Sequence, residues 1–289
     1  MNENYSSLIQ KHIDILSLRD LSESTIANYT AYLREFFEWA EEQLGGKDPS
    51  GISLDELHAY IRHLQVDRKL NNRTINCHIA QLRDFWAYVL QKDFSRYQLP
   101  FLKYDQYLPK VPTREEMTSI ISHLENPKHK AEIALLYSSG LRVSELCRLH
   151  CGDIRASKKC IYVSRSKNRS DRYAILSERA YQDLVRYVRA DLKGATQDDW
   201  LFPGQKAGEH ISSQSIANVL KASLEASGLS GKGFNLHSLR HAFGLHLYEA
   251  GTDIVSIKEA MGHKSLASTE VYLTLGIGSG RSVTSPYDF

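Results

Sequence analysis

Residues 234–275 read FNLHSLRHAFGLHLYEAGTDIVSIKEAMGHKSLASTEVYLTL. His237 and Arg240 stand three apart, a spacing that puts both on one face of a helix. Leu239, Phe243, Leu245, Leu247 and Tyr248 supply the apolar positions that bury the rest of that helix. Gly251 closes it, as a C-terminal glycine does. A second helix is expected over 254–261, ended by Gly262, with His263 just beyond. A third, over 265–275, carries Tyr272. The stretch therefore predicts a compact scaffold that holds His, Arg, His and Tyr at fixed places, a set suited to chemistry on an anion.

Each of these residues has a plainer explanation when taken alone. His237 can cap its helix beside Asn235 and Ser238. Arg240 can pair with a core carboxylate, His263 can be a turn residue, and Tyr272 is one of 16 tyrosines, most of which pack. His237 and His241 are four apart, a ligand spacing on a helix face. No Glu follows His237 in the metalloprotease manner and no third ligand is evident, which argues against a zinc site.

Working outward, Gly140-Leu141-Arg142-Val143-Ser144-Glu145-Leu146 stands about a century of residues upstream. Arg142 falls at the head of a predicted helix, where Glu145 can hold its guanidinium. From Cys160 to Leu176 the period changes to strand. Ile161-Tyr162-Val163 and Tyr173-Ala174-Ile175 flank a polar turn, a β-hairpin with Lys167 in or beside its turn. A solvated turn lysine is the ordinary explanation for Lys167.

Taken together, G-L-R-x-S-E-L, a hairpin lysine, H-x-L-R-H, G-H and a tyrosine nine residues after that histidine resemble the tyrosine recombinase (integrase) family. Size and motif style are similar to its Xer-like members. The family has Gly-Lys-Gly where this chain has Ser166-Lys167-Asn168. Asn tolerates the positive φ that a glycine would take, and Lys158 and Lys159 are lesser rivals for the role.

Upstream again, residues 1–91 read as four helices, over 5–16, from Ser22 or Ser24 to Leu44, from the capping signature Ser53-Leu54-Asp55-Glu56 to about Val66, and from Asn71-Asn72 to Leu90. The starts of the second and fourth are rich in small polar and basic groups: Ser24, Thr25, Asn28, and then Asn72, Arg73, Thr74, His78 and Gln81. Helix N-termini suit phosphates and such side chains suit base edges, although caps and solvated faces look the same in sequence. Pro100, Pro109 and Pro112 punctuate a linker. Thr113-Arg114-Glu115-Glu116 opens a second domain. Beyond Leu275, GIGSGRSVTSPYDF is Gly/Ser-rich, reads as a flexible tail, and leaves Tyr287 with nothing to fix it.

The expected fold class is mainly α. The resemblance implies a four-helix, SAM-like core-binding domain that clamps DNA over 1–95, a linker over 96–112, a mostly helical catalytic domain with a small β-hairpin or sheet over 113–275, and the tail 276–289. In the family a C-terminal helix docks on a neighbouring protomer, and this tail carries no helical pattern.

With 289 residues and 42% hydrophobic content the chain has ample material for two cores. Net charge is only +2, short of the overall basicity that announces a nucleic-acid binder. Residues 1–111 carry 13 basic and 15 acidic side chains, the remainder 23 and 19. Any DNA-binding face must therefore come from segregating charge. The four cysteines form no C-x-x-C pair, and the polar start and lack of a long apolar run predict a soluble, cytoplasmic protein with reduced thiols.

Tyr272 can attack phosphorus to form a phosphotyrosine, and Arg142 and Arg240 can bind non-bridging oxygens bidentately. By the resemblance, Lys167 protonates the 5′-hydroxyl leaving group, His237 moves a proton to or from Tyr272, and His263 hydrogen-bonds the phosphate. Glu145 supports. No cofactor and no metal is expected. The resemblance implies double-stranded DNA with a specific recombination site, a homotetramer on two duplexes, and an accessory protein or partner recombinase as a further possibility. Integration or excision of a mobile element and resolution of DNA products both fit. Three rivals stay open. A type IB topoisomerase-like enzyme would relax plain supercoiled DNA, a DNA-binding regulator would not cut, and a metal-dependent hydrolase would lose activity to chelators.

Overall fold

The structure is a computed structural model that describes residues 3–105, 107–164, 171–263 and 265–278. The chain divides into two units, Met1–Gln106 and Tyr107–Phe289. Among the described residues no helix is long and apolar enough to cross a membrane.

The first unit holds α1 (Glu3–Leu18), α2 (Glu23–Gln43), α3 (Leu54–Val66) and α4 (Asn72–Val89). Ser22, Ser53 and Asn71 cap the last three, and Ser53 with Glu56 forms a reciprocal capping box. That box satisfies two backbone donors that a helix start leaves unpaired. Phe36 lies edge-on to Tyr60 and Trp86, and Phe37 edge-on to Phe85, all fully or nearly fully buried. Edge-to-face aromatic packing of this kind fixes the helices in one arrangement.

Two expected DNA-contact residues do not lie on the surface. His78 is 1% and Gln81 6% exposed. His78 Nδ1 meets the Tyr60 hydroxyl at 3.0 Å, and its ring packs on Tyr32. The reason is the period of α4: positions 75, 78, 82 and 85 share one face, so His78 rides the apolar stripe rather than the polar one. Of the others, Ser24, Asn28 and Arg73 are exposed. Thr25 and Thr74 hydroxyls bond the capping Ser22 and Asn71, and Asn72 donates to the Lys103 carbonyl.

The second unit holds α5 (Arg114–Ser122), α6 (Pro127–Ser139), α7 (Val143–Cys147), β1 (Ile154–Arg155), β2 (Cys160–Val163), β3 (Arg172–Ile175), α8 (Glu178–Asp191), α9 (Ser213–Ala226), α10 (Leu236–Glu249), α11 (Ile254–Met261) and α12 (Ala267–Gly278). The strands form one antiparallel sheet in chain order, with Ile161 opposite Ala174 and Tyr162 opposite Tyr173. Strand β1 is an addition to the expected hairpin. α6 and α10 form the centre. Residues 131–136 are buried on every side, as are 238–240 and 242–246. A helix buried all round shows no clear amphipathic stripe, so these two are read from their ends.

Glu132 lies inside this core, 0% exposed, and neither carboxylate oxygen has a hydrogen-bond partner among the described residues. Burial raises its pKa to about 7, against a smaller opposing pull from Lys128. A folded pKa above the unfolded one contributes stability that is fully present below the unfolded pKa, near 4.5, and lost as pH rises through the folded value. The parent is therefore expected to lose about 3 kcal/mol between pH 4 and 8 relative to Glu132→Gln, on 1.36 kcal/mol per pKa unit. Thermal melts of the two across that window check it, and parallel curves would refute it.

Candidate active site

α7 is capped by Arg142, whose backbone N–H donates to Glu145 Oε2 at 2.8 Å while its Nη1 donates to Oε1 at 2.8 Å. The helix is short, and the capping carboxylate doubles as an arginine holder. Arg172, at the start of β3, donates Nη2 to Glu145 Oε2 at 2.8 Å. Arg240, on α10, brings Nη1 to 4.0 Å of the same oxygen. One carboxylate thus gathers three guanidiniums.

The same three arginines cap the end of α11. Arg172 donates to the carbonyl of Ala260, Arg240 to that of Met261 and Arg142 to that of Gly262. These carbonyls belong to a helix C-terminus, where no intrahelical donor reaches them and where the helix dipole favours cations. Gly262, at φ +63, turns the chain out of α11. A side chain there would run into Arg172. Arg240 also donates to the Gly140 carbonyl. Side-chain exposure falls from 23% for Arg142 to 10% for Arg172 and 3% for Arg240, so Arg142 presents the most open guanidinium.

Electrostatics follow from this crowding. Burial and then Arg142 lower Arg240 to about 10. Burial would raise Glu145, but Arg172 and the Arg142 backbone and side chain outweigh it and hold the carboxyl below its usual range. The net surplus of two positive charges that remains, three guanidiniums against one carboxylate, is what a phosphodiester would partly neutralise.

Three histidines, His237, His241 and His263, lie close to the arginine cluster. His263 Nδ1 meets the hydroxyl of fully buried Thr269 at 2.9 Å, which pins the ring. Burial, then Arg240 and Arg142, lower its pKa to about 4. His237 is exposed at the start of α10, edge-on to His241 at 4.5 Å between ring centroids. Although the residue as a whole is exposed, the partial burial of its ring beside His241, then Arg240 and Arg142, lower its pKa as well. Asn235 caps α10 by accepting from the backbone of His237 and Ser238.

Tyr272 is 0% exposed. Its hydroxyl meets His241 Nδ1 at 3.2 Å, and burial, only partly offset by Arg240, raises its pKa. The ring lies against Gly244, where a Cβ would stand 2.5 Å from ring carbons and 2.9 Å from Met261 Sδ. Gly244→Ala is expected to destabilise this domain by about 1–3 kcal/mol through overpacking and to displace the ring. A calorimetric melt together with the rate of covalent trapping checks it. An unchanged rate would mean that the ring's seat does not matter.

The structure thus brings Arg142, Glu145, Arg240, His263 and Tyr272 to one place, with His237 at its rim. Lys167 lies outside the described residues, as does Tyr287. Sequence reasoning misses Arg172, Thr269 and the position of His241, whose spacing from His237 suggests only a metal ligand. The imidazole against Tyr272 is that of His241. Gly244, one turn further along a helix with no other glycine, was the available sign that a large ring docks there. Among the described residues no cluster of three or more His, Cys, Asp or Glu could hold a metal.

The Phage integrase family matches residues 110–276, and its N-terminal SAM-like domain matches residues 8–96. A putative integrase/recombinase y4qK of Sinorhizobium fredii is 32% identical over 97% of this chain and 88% of its own. The tyrosine recombinase XerD of Rickettsia bellii is 29% identical over 90% of this chain and 91% of its own. The Tn1549 transposon integrase, solved with transposon right end DNA, superposes with a TM-score of 0.75 at 20% identity, over 97% of this chain and 96% of that one. The chain belongs to the phage integrase family and is a tyrosine-type site-specific recombinase, an enzyme that cleaves and religates DNA.

Proposed function

We propose that Tyr272 is the nucleophile, that Arg142 and Arg240 hold the scissile phosphate, and that Glu145 orients both. The observation that carries this is the convergence of a buried tyrosine hydroxyl, three histidines and an arginine cluster with surplus positive charge. Tyr272 Oη bonds to phosphorus as the bond to the 5′-oxygen breaks, leaving a 3′-phosphotyrosine and a free 5′-hydroxyl. The guanidiniums offset charge that develops on the non-bridging oxygens. His263, pinned by Thr269, keeps Nε2 for the phosphate. Lys167 protonates the 5′-oxygen, and His237 assists proton movement. The energy of the broken ester stays in the phosphotyrosine, so a 5′-hydroxyl can reverse the step without ATP.

In this reading the Met1–Gln106 unit clamps the duplex through Ser24, Thr25, Asn28, Asn72, Arg73 and Thr74. Four copies act on two duplexes that carry a specific site. The relatives' names and the DNA in the Tn1549 integrase structure support this for partner class. Because Tyr272 has no accessible surface, whatever covers its hydroxyl must move aside before that hydroxyl meets phosphorus.

Covalent trapping tests the reading. Purified protein is mixed with nicked duplexes from the DNA flanking its own gene and run on a denaturing gel without added metal. A protein–DNA adduct that survives denaturation and chelator is expected. Binding without an adduct across the whole flanking set would count for the non-cutting regulator, and loss of the adduct to chelator for a metal-dependent hydrolase.

A further inference from the structure

We propose that His241 is a further catalytic residue, the base that takes the proton from Tyr272 as it attacks and returns it during religation. This rests on the reading of Tyr272 as nucleophile. Three observations carry it.

The first is contact. Among the described residues, His241 Nδ1 is the hydrogen-bond partner of the Tyr272 hydroxyl, at 3.2 Å. That distance is at the outer edge of the range in which a general base works. His237 stands one turn earlier on the same helix and is exposed, whereas His241 is half-buried and faces the ring, with centroids 5.9 Å apart and planes at 67°.

The second is support. α10 is buried along the turn that follows, and Gly244 leaves the gap that receives the tyrosine ring. His241 and Gly244, three apart, form one receptor face. The base and the seat of the nucleophile are therefore on the same rigid element, while the nucleophile comes from α12.

The third is protonation. The groups facing His241 are His237 and Arg240 on its own helix, Tyr272 on α12 and His263 after α11. Burial, then His237 and Arg240, hold its pKa at about 4. At neutral pH the ring is uncharged. With its proton on Nε2, Nδ1 is free to accept, which an imidazolium cannot do. The same neighbours disfavour the imidazolium product in the free protein. A bound phosphodiester places a negative charge among them and relieves that cost. Nucleophile activation is thereby tied to DNA in the site.

The step balances without a co-reactant. The Tyr272 O–H bond breaks and its proton goes to Nδ1. Oη bonds to phosphorus, the P–O5′ bond breaks, and the 5′-oxygen takes a proton from the Lys167 ammonium. Religation runs the same transfers backward.

The test is single-turnover adduct formation on the nicked duplex that traps the parent, from pH 6.5 to 9.5, with His241→Phe and His241→Gln. Loss of a general base costs roughly 100-fold or more. His241→Phe is therefore expected to bind the duplex as the parent does and to form adduct about 100-fold more slowly at pH 7. Its rate should then climb about tenfold per pH unit as hydroxide replaces the base, while the parent's profile stays flat. His241→Gln, which accepts a hydrogen bond but cannot carry the proton, should show the same slope, and it serves if the Phe variant melts early. Parent rates in either variant, or a deficit that does not change with pH, would overturn the proposal and leave His241 a packing residue. Adduct in the parent that persists in Tyr272→Phe would instead overturn the nucleophile, and this proposal with it.

Discussion

Tyr272→Phe is expected to bind DNA with the parent's affinity, to melt within about 1 kcal/mol of it, and to form no covalent adduct. The substitution removes a single oxygen. The ring fills a fully buried seat between Gly244 and Met261, and phenylalanine refills that seat. The one hydrogen bond lost is to His241, and such a bond contributes about 1 kcal/mol net. The oxygen that goes is the one that would bond to phosphorus, and no neighbouring side chain can replace it. Fluorescence anisotropy with a labelled duplex measures binding, and a denaturing gel measures the adduct. An adduct in the variant would move the nucleophile elsewhere, with Tyr287 the first to examine.

The second large effect is on folding and chemistry together. Glu145→Gln is expected to destabilise the second unit by about 3–5 kcal/mol, the cost of breaking a buried ion pair by removing one partner. The Glu145 side chain is 2% exposed and carries the only described carboxylate in contact with Arg142, Arg172 and Arg240. A glutamine keeps the shape but turns a donor toward a guanidinium and leaves three cations without a counter-charge. Adduct formation should fall below detection at temperatures where the variant is still folded. Because the pair is buried, added salt should rescue neither property. In the parent, the folded pKa of Glu145 is depressed. Its contribution is therefore present above the unfolded value, near 4.5, and lost as pH falls below it. Urea melts of parent and variant at pH 7 measure the difference. A gap under about 1 kcal/mol would mean that solvent screens the cluster.

Much of the fold was legible because its ends carry side-chain grammar. Ser53 with Glu56 and Thr113 with Glu116 announce helix starts, and both boxes are present. Gly262 announces the end of α11. Strand β1 was not legible. It is two residues long, and its strand character comes from pairing with β2 rather than from its own sequence. In the site, Arg142 and Glu145 were legible because a helix start makes them neighbours. Arg172 was not. Its partners lie 27 and 88 positions away, and no local period reports on them. His78 and His241 show opposite sides of one difficulty. A histidine on a buried helix face looks the same in sequence whether it meets a core hydroxyl, as His78 does with Tyr60, or a candidate nucleophile.

The arginine-capped end of α11 has a consequence for the order in which the protein is made. Arg142 leaves the ribosome about 120 residues before the carbonyl of Gly262 that it holds, and Arg240 only some twenty before that of Met261. Until that last stretch emerges, the three arginines have no helix end to grip. Tyr272 follows ten residues later still. Competence to cut DNA therefore cannot accumulate gradually during synthesis; it waits for the last part of the domain, in a chain already equipped to rejoin what it cuts.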